Sequence, residues 1–170
     1  MLTPRQIIDH LGLEPLHEEG GLFIQSYCSP ETISRHHLPE RYQGDKPFGT
    51  AIFYLLTAEV DSFSALHKLP TDEIYHFYLG DPVELLQLYP DGTSRRVILG
   101  QDLLAGQQVQ HLVPHGVWQG SHLIPGGNFA LLGTTMAPGY TSEDYVAGVA
   151  GDLIAQYPDQ AELIRQLTRG

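Results

Sequence analysis

The chain has 170 residues, with 9 Lys and Arg against 20 Asp and Glu, a formal net charge of −11. That balance argues against partners that present phosphates, nucleic acid or an anionic membrane surface, because both are recognised by clustered cations and lysine occurs only at Lys46 and Lys68. One domain with a real core fits the length and the 42% hydrophobic content, and the lone Cys28 excludes an internal disulfide or a Cys-x-x-Cys metal or redox pair.

The first ten residues lack the basic start and apolar run of a signal peptide, and no stretch approaches the roughly 18 apolar residues of a membrane span. The expectation is a soluble cytoplasmic protein. Thr3 followed by Pro4 reads as a helix start, with Ile7, Ile8 and Leu11 on one side and Gly12 as the stop. Short runs bounded by Gly, Pro, Asp and Ser then predict strands at 21–27, 50–57, 62–69, 73–79, 83–89, 94–99, 107–113, 117–123 and 129–136. Pro90-Asp91-Gly92 marks a hairpin turn between two of them. The polar segment 36–49, with Pro39, Gly44, Pro47 and Gly49, reads as a long loop of the kind that forms lids.

After Pro138-Gly139 the pattern turns helical. Ser142 begins a run with Tyr145, Val146, Val149 and Leu153, weakened by Gly148 and Gly151, and Pro158 opens a second with Ala161, Ile164 and Leu167. No repeat or second composition regime appears. The chain therefore reads as one all-β domain: an N-terminal helix and lead-in over 1–20, an antiparallel jelly roll or barrel of about a dozen strands over 21–136, and a helical tail over 140–170.

The most specific spacing runs from Ser62 to Gly80, SFSALHKLPTDEIYHFYLG. His67, Leu69, Glu73 and Gly80 stand at the intervals of the first cupin motif, G-x5-H-x-H-x3,4-E-x6-G, with Asp61 in place of the opening glycine. Residues two apart on a strand share a face, so such spacing aims two side chains into a barrel while the next strand brings a carboxylate to meet them. Downstream, Pro114, Gly116 and Gln119 match the second motif, G-x5-P-x-G-x2-H, with a gap two residues longer after Gly106.

The surrounding words are TAIFYLL, S-x-x-H-x-L-x-x-DEIYHFY, LG-x-D-x-x-x-G, VP-x-G-x-W-Q and APG-x-x-x-x-D-Y. From about residue 13 to 167 the chain resembles the fifth cupin family, whose members share the RmlC-like jelly roll. That resemblance implies a double-stranded β-helix paired into homodimers and carries no particular activity with it. A metal-binding cupin presents three histidines and one glutamate; against that set, His67 and Glu73 survive here and Leu69 and Gln119 occupy the other positions. Two strong donors argue against an iron oxygenase, leaving either no cofactor or a weakly bound divalent metal on His67, Glu73 and Gln119. His76, His115 and His122 are the nearby histidines that could replace a lost ligand.

Parity separates these candidates. If Glu73 faces inward, Tyr75 and Phe77 follow it, while Ile74, His76 and Tyr78 face outward to packing or an interface. His115 and His122 read as surface or loop residues. The inward set becomes His67, Glu73, Tyr75, Phe77 and Gln119, joined by Tyr54 or Phe53 and by Trp118 at the mouth. In this reading His67 is a general acid or base oriented by Glu73, Tyr75 is a second proton carrier, and Tyr54, Phe77, Trp118 and Gln119 contact a small ligand. The bland alternative has the aromatics filling a core and His67 hydrogen-bonded to Glu73.

Three functions follow. The first is binding of a small polar or sugar-like molecule with metal-free epimerase- or isomerase-type proton transfer, an analogy with the dTDP-sugar epimerases that rests on fold alone. The others are non-catalytic ligand binding and divalent-metal-dependent catalysis. Bases for a nucleotide diphosphate are few, with Arg35, Arg41, Lys46 and Lys68 the nearest. A hydrolase lacks its Gly-x-Ser-x-Gly elbow, Gly126-Gly127 precedes a strand rather than a phosphate-binding helix, and His36-His37 reads as exposed loop.

Overall fold

The computed structural model describes residues 2–59 and 61–169. Helix α1 (Pro4–Leu11) starts where Thr3 accepts a hydrogen bond from the Gln6 amide and Gln6 caps the Thr3 amide in return, and it stops at Gly12 in the left-handed region at φ 69°. Thirteen strands follow among the described residues: β1 (Glu14–Pro15), β2 (Leu22–Cys28), β3 (Thr32–Ile33), β4 (Lys46–Pro47), β5 (Thr50–Thr57), β6 (Ser64–Lys68), β7 (Glu73–Gly80), β8 (Val83–Leu88), β9 (Ser94–Leu99), β10 (Gln110–Val113), β11 (Trp118–Leu123), β12 (Phe129–Met136) and β13 (Val146–Ala147). Helices α2 (Ala150–Gln156) and α3 (Ala161–Gln166) close the chain.

The strands form two facing sheets, ordered β1-β2-β5-β12-β7-β10 and β13-β6-β11-β8-β9, with β3 and β4 as a separate pair. Neighbouring strands run antiparallel throughout, which is the jelly roll expected from the short runs and breakers. Alternation divides each strand between a barrel interior and an outer layer. Tyr54, Tyr75, Phe77, Val83, Leu85, Val97 and Leu132 fill the interior. On the outside of the first sheet, Ile7 and Leu13 pack on Leu55, Phe129 and Leu131; on the outside of the second, Leu153, Tyr157, Leu163 and Ile164 cover Leu66, Leu86 and Leu88. Each sheet is thereby buried on both faces over part of its width, and that burial is the main stabilising term.

Two expectations need correction. The segment 36–49 is not a free lid: a turn of 3-10 helix (Arg35–His37) is followed by β4, which pairs with β3, and the Lys46 side chain is fully buried against Asp144 and Thr141. The helical tail also begins later than its periodicity suggested. Ser142–Asp144 is a short 3-10 turn, Val146–Ala147 is a strand laid along β6, and regular helix starts only at Ala150. Tertiary pairing overrides the helical pattern here: the Gly148 amide donates to the Leu66 carbonyl at 2.7 Å, and Asp144 is drawn to Lys46. Among the described residues, no helix is long and apolar enough to cross a membrane.

Candidate functional site

Strands β6, β7 and β11 bring three side chains to one end of the barrel. His67 on β6 lies directly across from Gln119 on β11, and Glu73 opens β7. Along β7, Glu73, Tyr75 and Phe77 are buried, whereas Ile74 and Tyr78 are exposed and His76 is half-buried, as strand parity requires. Glu73 Oε2 accepts a hydrogen bond from Gln119 Nε2 at 2.8 Å. Burial pushes the Glu73 carboxyl above the usual carboxylate range, the His67 charge opposes that shift, and Glu19 adds to it.

The His67 ring is 2% exposed and its Nδ1 lies 2.7 Å from the Ala65 carbonyl. A carbonyl only accepts, so the neutral ring carries its proton on Nδ1 and turns a free Nε2 lone pair the other way. Nε2 is 3.9 Å from Glu19 Oε2. The ring stacks on Tyr145, with centroids 5.1 Å apart and planes inclined by 21°. His67 is thus held by a backbone carbonyl and an aromatic face, while Glu73 is held by Gln119; the expected orientation of His67 by Glu73 is replaced by these contacts.

Glu19 reaches His67 from the tip of the β1–β2 hairpin. Its carbonyl accepts from the Ala65 amide at 2.8 Å and its Oε1 from the Ser64 hydroxyl at 2.5 Å. Gly20 is required next to it, since at φ 103° a Cβ would stand 2.2 Å from the Phe63 carbonyl oxygen. The opposite wall comes from the segment before β13. Tyr140 is held by its amide to Thr50 Oγ1 at 2.9 Å, and the Tyr145 hydroxyl donates to the Glu18 carbonyl at 3.3 Å. Burial with nearby Glu19 pushes Tyr140 up to about 12 and Tyr145 higher, so both stay protonated at neutral pH.

These groups enclose a cavity of about 320 Å³. Its polar lining comes from the ionisable Glu18, Glu19, His67, Glu73, Tyr140 and Tyr145 together with Gln25, Thr50 and Thr134, and its apolar lining from Leu16, Phe23, Ile52, Leu69 and Met136. Of the residues singled out by sequence, His67 and Glu73 line the cavity and Gln119 lies directly behind Glu73. Tyr54, Tyr75 and Phe77 do not line it: they pack in the barrel interior, and the Tyr54 hydroxyl donates to the Gly20 carbonyl at 2.9 Å. Trp118 is on the opposite face of its strand from Gln119, against the C-terminal helical layer, with Lys68 4.7 Å from its ring centre. Phe53 faces the α1 layer.

The alternative histidines stay apart from the cavity. His76 Nε2 is 3.0 Å from Thr135 Oγ1, His115 Nδ1 is 2.9 Å from Asp72 Oδ1, and His122 Nε2 is 3.2 Å from Glu84 Oε2. Leu69, at the position of a second ligand histidine, is 5% exposed and presents only carbon to the cavity. Among the described residues, no three His, Cys, Asp or Glu side chains converge so as to hold a metal ion, so this donor set does not fit the metal centre of a metal-binding cupin. Glu18, Glu19, Tyr140 and Tyr145 were missed by sequence reasoning. Tyr145 stands in the APG-x-x-x-x-D-Y word, but the segment's helical periodicity hid its role as a wall.

The family model described as Cupin_5, cupin superfamily (DUF985), matches residues 5–147. The chain belongs to this cupin family. A hypothetical protein from Leishmania major has the same fold at a TM-score of 0.88 and 26% identity, over 99% of this chain and 100% of that one. A protein of Shewanella oneidensis aligns at a TM-score of 0.84 and 30% identity, over 99% of each chain. An uncharacterised protein of Saccharomyces cerevisiae is 29% identical over 137 residues, 76% of this chain and 67% of that protein. The matched region of the cupin family contains His67, Glu73, Gln119 and Tyr145, the groups at and behind the cavity wall.

Proposed function

We propose that this cupin binds a small polar, sugar-like molecule in the cavity between the sheets and moves a proton on it without a metal. The carrying observation is the free Nε2 of His67, turned away from Ala65 and into an enclosed space shared with Glu73. In an isomerase-type step, His67 Nε2 takes the proton from a carbon beside a carbonyl, and the protonated His67 or Glu73 returns one to the adjacent atom or the other face. Proton count and electron count balance within the ligand. Tyr145 stacks on His67 and steadies the ring beside the ligand, its hydroxyl proton being engaged by the Glu18 carbonyl, while Tyr75 is packed in the barrel interior away from the cavity.

Non-catalytic ligand binding is the second reading, favoured by the hydrogen bond that already engages Glu73 with Gln119. A thermal-shift screen of small polar compounds followed by turnover assays on His67→Ala separates the two: loss of turnover with binding retained supports catalysis, and a bound ligand that is never converted supports the second reading. We further propose that the protein pairs into homodimers through the outer face of β7 and β10, where Ile74 and its cross-strand partner Leu112 are exposed and Tyr78 follows on the same face of β7. A monomer by light scattering at micromolar concentration overturns this pairing.

A further inference from the structure

We infer that the ligand taken by this cavity is cationic: a small molecule carrying an ammonium group, with anionic and phosphorylated molecules excluded. The inference rests on reading the cavity as a ligand site and concerns the charge of what enters it. Three carboxyl groups, of Glu18, Glu19 and Glu73, line the space, and no lysine or arginine is among its described lining residues.

The bases around it are already engaged. Lys46, behind the Tyr145 wall, is fully buried and paired with Asp144. Arg169 lies over the Phe63 ring at 4.6 Å and donates to the Asp61 carbonyl at 2.9 Å. An anion entering the cavity would therefore meet like charge in a low-dielectric surround, where repulsion is strong.

Two further features point to an ammonium rather than a neutral polyol alone. Phe23, Tyr140 and Tyr145 place aromatic rings on the lining, and an aromatic face attracts a desolvated cation. The carboxylate oxygens that line the space accept hydrogen bonds and donate none, and an ammonium is a compact set of donors with no acceptor. The net charge of −11 also favours the approach of cations over anions. The volume of about 320 Å³ lies at the small end of ligand sites, so the molecule is of monosaccharide or single-ring size.

The test uses the full chain and three sets of probes matched in skeleton: benzylamine, benzyl alcohol and benzoate; cyclohexylamine, cyclohexanol and cyclohexanecarboxylate; glucosamine, glucose and glucose 6-phosphate. Binding is read by saturation-transfer NMR and calorimetry at pH 7. In at least one set the amine is expected to bind about tenfold more tightly than the alcohol, with the anion not binding. Glu19→Gln, and separately Glu18→Gln at the exposed rim, should each weaken the amine, Glu19→Gln by about tenfold, and leave the alcohol within about twofold. Tyr145→Leu should weaken the amine by about fivefold. If alcohol and amine bind equally, or the anion binds best, or both glutamine variants bind amine as the parent does, the cationic ligand is overturned while a small-molecule site stands. If no probe of any set binds, both the ligand charge and the ligand site fall.

Discussion

Gln119 donates to Glu73 across the end of the barrel at 2.8 Å, and Glu73 lines the cavity with Gln119 behind it. In the metal-binding pattern both positions would hold ligands; here one restrains the other. The amide fixes the carboxyl rotamer and satisfies one oxygen, but it is neutral and does not balance a negative charge in a buried place. Glu73 is thus positioned with the cost of its burial only partly offset, by His67 and by hydrogen bonds, so that burial still holds its carboxyl above the ordinary range.

That partly offset burial gives a pH-dependent stability. The folded-state value of Glu73 lies above its ordinary value of 4.5, so between those two values the folded chain holds more protons than the unfolded one, and stability falls as pH rises through the window. Above the raised value the loss is complete; below about 4 it is absent. Glu73→Gln keeps an acceptor for Gln119 and removes the charge. It should raise Tm at pH 8 and change it little at pH 4, measured by calorimetry at both; an equal change at the two pH values would show that burial of charge is not the cause.

His67→Ala removes the proposed base and should reduce any turnover by about 100- to 10,000-fold while the far-ultraviolet spectrum keeps its β signature. Tyr145→Phe keeps the stacked ring and loses the hydroxyl that holds Glu18, so ligand binding should persist with a modest loss. Turnover unchanged in His67→Ala would remove the proton-transfer mechanism.

Much of the barrel was legible because strand signals are local. The bounds of 50–57, 94–99 and 129–136 coincide with β5, β9 and β12, each a β-rich run between breakers. His67 and Glu73 were legible too, since parity and fixed spacing place them on inward positions of adjacent strands. The rest of the cavity depends on distant partners. Glu19 becomes a wall only because its hairpin tip docks on Ser64 and Ala65, and Tyr145 only because Asp144 is held by Lys46 from a segment about a hundred residues earlier. Trp118 went to the wrong face for the same reason: Gln119 facing inward forces its neighbour outward, against helices whose docking no local pattern reveals.

Lys46 and Asp144 form an ion pair whose side chains are 0% and 3% exposed. Breaking a buried pair from one side strands the other charge, which destabilises by about 3–5 kcal/mol, whereas replacing both members with apolar groups of similar size is close to neutral. Lys46→Met should therefore lower stability by that amount in urea denaturation, and Lys46→Met with Asp144→Leu should recover most of it. Because Asp144 adjoins Tyr145, the single variant should also lose ligand binding. A single variant as stable as the parent would mean the pair does not anchor this wall.

Leu69 and Gln119 stand where the resemblance to metal-binding cupins places two histidines, and the structure allows that correspondence to be tested by restoring them. Leu69 follows β6 two residues after His67 and lines the same cavity, and Gln119 already reaches Glu73. Leu69→His with Gln119→His would complete a set of three imidazoles and one carboxylate, a donor set suited to Zn²⁺ or Ni²⁺. The double variant should bind Zn²⁺ or Ni²⁺ at least about 100-fold more tightly than the parent, with each single variant between them. Calorimetry on untagged, chelator-treated protein gives the affinity, and a rise in Tm on adding metal gives an independent reading. A double variant that folds but binds no more tightly than the parent would show that these four positions do not converge on one point, and that Leu69 and Gln119 are not the two vacated ligand positions.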